Sequence, residues 1–225
     1  QIPGRVQAMK KEVPLDLVHR LLAPRPVVLL TTHYRDRDNV MTAAWVCPVS
    51  KWPPLVVAAV HPARYTNDLL RRSEELVLNV AGRGLIEPVV ACGTLSGAEV
   101  DKFRACGLST ESGHHVAAPW ISECLAHLEC AIVSVLEPGD HTLFIAQVLG
   151  AWVEEEAFDE VWRVSSSDEE LLPLHHLGGE HFGLLGVALL AYLAAIWAAV
   201  RAREGKVLLT VIVLGSVLFR GLSLY

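Results

Sequence analysis

Two stretches of this 225-residue chain carry residue types that could hold a ligand. The first, NVMTAAWVCPVSKWPP (39–54), has Thr42, Ala43 and Ala44 where a buried strand usually carries bulky β-branched residues. Small side chains let a flat molecule lie against the backbone. Thr42 and Ser50 then offer hydroxyls, and Met41 and Trp45 offer soft and aromatic borders. The competing explanation is a tight strand crossing in a small barrel, where alanine leaves room. The second stretch, HPARYTNDLL (61–70), puts Arg64 just ahead of Thr66, which reads as a helix N-cap. A helix start presents unpaired N–H groups and partial positive charge, suited to a phosphate, and Arg64 would add a charge-assisted bond. Together the two stretches describe a flat ring joined to a phosphate, which is the shape of flavin mononucleotide (FMN).

The elements that must position these residues are mostly strands. RPVVLLTT, LVVAAVH (55–61), ELVLNVA (75–81), HLECAIVSVLE (127–137) and HTLFIAQVLGAWV (141–153) read as strands. The turn cluster EPGDH should make the last two a hairpin. PLDLVHRLLAP (14–24) spaces Leu15, Val18, Leu21 and Leu22 for one helical face, with Pro14 in the first turn. TNDLLRRSEE starts a second helix. In SGAEVDKFRACG, Ser96 and Glu99 form a capping box and Gly107 a left-handed C-terminus. Strands with a few inserted helices argue for a barrel, and no GxGxxG follows a strand to support a dinucleotide fold. RDRDN (35–39) reads as a hairpin turn and EEEAFDE (154–160) as a solvated linker.

The 52% hydrophobic content is concentrated at the C-terminus. GLLGVALLAYLAAIWAAV (183–200) is uncharged and, as a helix, would span ~27 Å, close to a bilayer core. A second apolar segment, 207–219, reaches only ~20 Å. The expected organisation is therefore a domain over 14–182 and an apolar helical extension over 183–225, with membrane contact through the first segment. The alternatives are a dimer-packing helix or a tail foreign to the domain. The N-terminal QIPGRVQAMKKEVP has no long apolar core and does not read as a secretory signal.

Other chemistries find less support. A net charge of −6, from 19 Lys and Arg against 25 Asp and Glu, argues against a nucleic-acid surface. Five cysteines without a CxxC pair read as buried or half-buried thiols in a reducing compartment. Neither GHH (113–115), read as a mobile polar loop, nor HHLGGEH (175–181) has HExxH spacing, so no metal ligands are assigned. No GxSxG elbow supports a nucleophilic triad.

The ordered series RPVVLLTT, NVMTAAWVCPVSKWPPLVVAAVHPARYT, ELVLNV, SGAEVDKFRACGLS, ISECLAHLECAIV, GDHTLFIAQVLG and LLPLHHLGGEHF resembles the flavin reductase-like, FMN-binding split-barrel family over 14–182. The resemblance implies a six-stranded antiparallel Greek-key barrel that forms a homodimer in the cytoplasm, with FMN near the subunit interface. It implies that Met41 to Trp45 and Pro48, Val49 and Ser50 line the isoalloxazine and ribityl chain. Arg64, Tyr65 and Thr66 would meet the phosphate, Ser96 and Lys102 would approach the flavin, and His175 and His176 would lie near the site. The implied activity is reduction of bound flavin by hydride from NADH or NADPH. The alternatives are a flavoprotein electron carrier reduced by a protein partner, and a flavin-free relic of the barrel. Hydride transfer requires no acid–base residue, so no catalytic side chain is assigned. Lys51 and Trp52 stand where relatives often carry a small turn, and an indole there could cover part of the nicotinamide approach.

Overall fold

The computed structural model describes residues 13–163, 169–179 and 181–184. Its main sheet contains β1 (Val28–Tyr34), β2 (Arg37–Ala43), β3 (Val46–Ser50), β4 (Leu55–Val60), β5 (Glu75–Val80), β6 (Ala126–Leu136) and β7 (Thr142–Val153). The seven strands pair antiparallel in the order β2-β1-β5-β6-β7-β4-β3. The two outermost strands are joined only by Ala44 and Trp45, so the sheet must curl until its edges meet. Strands β2 and β3 are one chain run broken at that link, because its halves pair with different neighbours, β1 and β4. Counting them as one gives the expected six strands. The chain is mainly β with a few helices, and β6 and β7 form the expected hairpin.

The curled sheet encloses one core and leaves a second outside it. Val28 and Leu30 of β1 point into the first with Leu76, Leu78, Val60 and Phe144, whereas Val27 and Leu29 enter the second with Val40, Val89, Cys92 and Leu174. Successive strand side chains face opposite ways, so a strand buried on both faces reads as the unbroken apolar run VVLL. Ala43, Ala58 and Ala146 lie together in the first core. The smallness of Ala43 therefore makes room for the barrel interior, which is the competing explanation raised for this stretch.

The helices are α1 (Tyr65–Ser73), α2 (Ile86–Thr94) and α3 (Lys102–Cys106). Two expected caps are corrected. The N-cap of α1 is Arg64, and Thr66 lies inside the first turn. The capping box at Ser96 is absent: α3 starts later, and Asp101 caps it by accepting from Arg104 N–H at 3.2 Å. Gly107 does end α3 in the left-handed region, at φ 65. The segment Leu15–Leu22 is a 3-10 helix with no buried residue, so its leucine face is not packed on the domain.

The domain boundary also moves. β8 (Leu174–Gly178) pairs with Arg25–Pro26 on one side and with β9 (His181–Leu184) on the other. Gly183 and Leu184, read as the start of a membrane helix, are strand, with Leu184 packed against the second core. The rest of segment 183–200 and all of 207–219 lie outside the described residues. Among the described residues no helix is long and apolar enough to cross a membrane.

Candidate functional site

The start of α1 brings residues from four elements together. Thr66 is buried, and its hydroxyl accepts a 2.8 Å bond from the Asn39 amide on β2. The turn carrying Ser96 closes over this pair. A Cβ on Gly97 would stand 1.9 Å from Asn39 Oδ1 and 3.4 Å from Tyr65 Cδ1, so the approach requires glycine. Ser96 itself accepts from Ala98 N–H at 3.3 Å. Thr42, also on β2, donates to the Val89 carbonyl of α2, holding that helix against the strand. Asn39 and Gly97 were not singled out from sequence. Asn39 was absorbed into a supposed turn, and only a buried polar residue among strand hydrophobics could have flagged it.

Lys102, at the first position of α3, is buried and donates from Nζ to the Cys92 carbonyl at 3.0 Å. Burial pulls its ammonium below the ordinary value, and Arg64 pushes the same way by repulsion. Arg64 is the N-cap of α1 and Lys102 the first residue of α3, and among the described residues neither has a carboxylate partner. The Tyr65 and Thr66 N–H groups have no partner within their helix. A helix start with free N–H groups, capped by an arginine that has no carboxylate partner among the described residues, fits a phosphate. Next to Lys102, the Cys92 and Cys106 sulfurs lie 3.6 Å apart, and burial pushes the Cys92 thiol up to about 12. All five cysteines are free, and Cys47 is exposed.

The ring end is less confined. Ala44 and Ser50 are half-buried, while Cys47, Pro48 and Val49 are exposed along β3. Met41 packs partly against the first core. Trp45 is 37% exposed and stacks on His141 at 4.5 Å; His19 lies 5.5 Å from its ring and the Arg25 guanidinium 5.7 Å. His141 meets His61, whose backbone carbonyl accepts from Arg64 N–H at 2.9 Å, so ring contacts run from Trp45 to the loop that leads into α1.

His175 and His176 lie on β8, paired with Pro26 and Arg25 respectively. His175 Nδ1 donates to the Pro173 carbonyl at 3.1 Å, and His176 Nε2 to the Gly179 carbonyl at 2.8 Å. His176 Nδ1 and the Nε and Nη2 of Arg25 are buried without a partner. Ser96 therefore stands in the turn beside Asn39 and Thr66, Lys102 is tied to α2 through the Cys92 carbonyl, and His176 is paired with Arg25, whose guanidinium lies over Trp45. No group of three His, Cys, Asp or Glu among the described residues is placed to hold a metal.

The expected mobile GHH loop is instead fixed. Glu129, fully buried on β6, accepts from His114 N–H (2.7 Å), His115 N–H (2.6 Å) and the Trp120 indole (2.7 Å).

A mainly β barrel with a phosphate-compatible helix start on its surface is the class of protein this geometry defines. The model of the flavin reductase like domain matches residues 19–181, and the chain belongs to that family. A protein of Archaeoglobus fulgidus is 41% identical over 114 residues, 51% of this chain and 64% of that protein. Among solved structures, flavoredoxin of Desulfovibrio vulgaris (Miyazaki F) superposes with a TM-score of 0.68 at 27% identity, over 79% of this chain and 94% of that one. An FMN-binding protein of Thermus thermophilus gives a TM-score of 0.68 at 26% identity, over 80% and 97%.

Proposed function

We propose that the protein is an FMN-dependent oxidoreductase that takes electrons from NADH or NADPH. The observation that carries this reading is the start of α1, where buried Thr66 is held by Asn39 and the N-cap Arg64 has no carboxylate partner among the described residues. Arg64, Lys102 and the Tyr65 and Thr66 N–H groups would hold the phosphate, with Asn39 fixing the Thr66 hydroxyl and Ser96 closing the turn above. The exposed Cys47, Pro48 and Val49 leave one edge open for the ring, and Thr42 braces the neighbouring strand. Trp45, with His175 and His176 beyond Arg25, would border the ring's far end. When bound, the flavin supplies the hydride-accepting ring. The chain's part is to bind, orient and screen, which leaves no residue to assign as acid or base.

The family's flavoredoxin and FMN-binding neighbours support the flavin assignment. The test is the spectrum of the purified chain followed by anaerobic titration. Bands near ~370 and ~450 nm, bleached by NADH or NADPH, are expected of a bound oxidised flavin. A colourless protein that takes up no added FMN would overturn the proposal and leave the flavin-free relic.

A second reading, an electron carrier reduced by a protein partner, is favoured by apolar surface beside the site. Trp52 is 84% exposed and Val49 51% exposed. Reduction by a partner protein but not by NADH or NADPH would select it. The open face of Leu15–Leu22, with Leu15 86% exposed, supports a homodimer, which sedimentation of the purified chain tests.

A further inference from the structure

Cys92 near the end of α2 and Cys106 at the end of α3 bring their sulfurs to 3.6 Å. Both thiols are free; Cys92 is sealed in the second core, and Cys106 packs half-buried against the same core. The buried Lys102 ammonium ties the two helices together, since it starts α3 and donates to the Cys92 carbonyl at 3.0 Å. Burial raises the Cys92 thiol and Lys102 opposes that; burial lowers Lys102 and both sulfurs oppose that. A cation beside a thiol favours the thiolate, which is the reactive form. A disulfide holds its sulfurs ~2.05 Å apart, so the pair has ~1.5 Å to close. Neither sulfur has a part in holding the flavin.

The segment between the two cysteines includes the turn that closes over the start of α1. A Cβ on Gly97 would collide with Asn39, which in turn holds the Thr66 hydroxyl. The bonds made at Ser96 are internal to this turn: its hydroxyl accepts from Ala98 N–H, and its carbonyl accepts from Glu99 and Val100 N–H at 3.1 Å. We propose that Cys92 and Cys106 are a peroxide-sensitive dithiol whose disulfide locks the 95–101 turn over the start of α1. FMN held there then exchanges more slowly, a consequence that rests on the placement of its phosphate at α1.

Cys106 is the half-buried sulfur, so its thiolate attacks hydrogen peroxide. An S–O bond forms, the O–O bond breaks, and the departing hydroxide takes up the thiol's proton as water. The Cys92 sulfur then attacks the sulfenic sulfur; the S–S bond forms, the S–O bond breaks, and the second hydroxide takes the Cys92 proton. The two thiols lose two electrons, the peroxide gains them, and two waters result. Reduced flavin that meets oxygen yields hydrogen peroxide, so a flavin at α1 would generate the oxidant beside the turn.

The experiment treats the full chain with hydrogen peroxide and maps its disulfides by mass spectrometry. Hydrogen exchange of 95–101 and FMN release, followed by flavin fluorescence, are measured before and after. A peptide linking Cys92 to Cys106 is expected, reversed by dithiothreitol. Exchange of the turn and release of FMN should each slow at least about threefold in the oxidised chain. Cys92→Ala should leave a sulfenic acid at Cys106 that dimedone traps. Cys106→Ser should keep the reduced chain's rates and lose their response to peroxide. Linkage of Cys92 to Cys124, oxidation confined to Cys47, or a bridge that leaves exchange of the turn unchanged each overturn the proposal. A bridge that protects the turn in a chain that binds no FMN, or releases it at the old rate, keeps the lock and shows separately that the phosphate is misplaced.

Discussion

Two polar regions of this barrel differ in how completely their groups are satisfied. Around Glu129 every demand is met. The carboxylate takes two backbone N–H groups and the Trp120 indole, while nearby Glu75 takes the Ala117 and Ala118 N–H groups at 2.8 and 3.0 Å. Asn79 accepts from Ile121 N–H and His127, and donates to the Leu29 carbonyl. These bonds tie segment 113–121 to β5 and β6. Around the start of α1 and at the Trp45 border, by contrast, Arg64 and Lys102 have no carboxylate partner among the described residues, and Arg25 and His176 keep three buried atoms unpartnered. A saturated network specifies structure, whereas open donors and unpaired charge are tolerated where a ligand completes them.

The contrast breaks most visibly at Glu129. Glu129→Ala removes four bonds to a buried carboxylate, from the His114 and His115 N–H groups, the His115 ring and the Trp120 indole, and a bond to a charged group is worth about 1.5–3 kcal/mol. A stability loss of at least about 3 kcal/mol is expected from urea unfolding, with FMN affinity of the folded fraction unchanged. Burial alone would raise the Glu129 pKa, but the bonds from His114, His115 and Trp120 outweigh it and hold the carboxyl below its ordinary range. Its contribution is therefore present above the unfolded carboxylate pKa and is lost as pH falls through the lower folded value. A Glu129→Ala variant as stable as the parent would remove the structural half of the comparison.

His127 in the same network gives the next effect. It stacks on Trp120 at 4.5 Å and 5°, and burial lowers its pKa from 6.5 to about 4. The unfolded chain takes up a proton below 6.5 that the folded chain refuses until about 4, so stability falls as pH drops through that window. The loss amounts to about 3 kcal/mol at most. Urea midpoints of wild type and His127→Gln across this range should diverge in slope, the variant being flatter. Parallel slopes would mean that the imidazole is solvated.

The saturated half of this contrast was hard to read from sequence, and the open half only partly legible. Strand positions followed from alternation and apolar runs, because pleating acts on neighbouring residues. Arg64, Tyr65 and Thr66 were placed at a helix start by type and order, yet the N-cap is Arg64 and not Thr66. Its hydroxyl is claimed by Asn39, distant in sequence, and no local rule reports that partner. Ser96 and Glu99 satisfied a capping pattern, but Asp101 sits closer to where α3 begins. Glu129 lay unremarked inside a strand, and its donors come from a loop that sequence portrayed as free. Local rules place elements, and long-range polar pairing decides what each side chain does.

At the start of α1, the proposed phosphate site, the difference should appear as ligand selectivity rather than stability. Arg64→Ala combined with Thr66→Ala removes a charged donor and the hydroxyl held by Asn39. FMN affinity should fall roughly 100-fold, about 2.7 kcal/mol, while riboflavin, which lacks the phosphate, changes little. Comparative titration of the two ligands reads this directly. An equal loss for both would show that the phosphate lies elsewhere.

The smallest effect is the most diagnostic in sign. Arg25 carries two buried N–H groups without acceptors, opposite a His176 nitrogen in the same condition, and Trp45 offers only its ring face. Met approximates the length of the arginine stem and removes the unsatisfied charge, and replacing such groups by apolar ones is neutral or stabilising. Arg25→Met should therefore raise the urea midpoint, by about 1 kcal/mol or less, where Glu129→Ala lowers it. A loss of stability would mean that the guanidinium is partnered in solution. The two regions would then differ in what partners them and not in whether they are partnered.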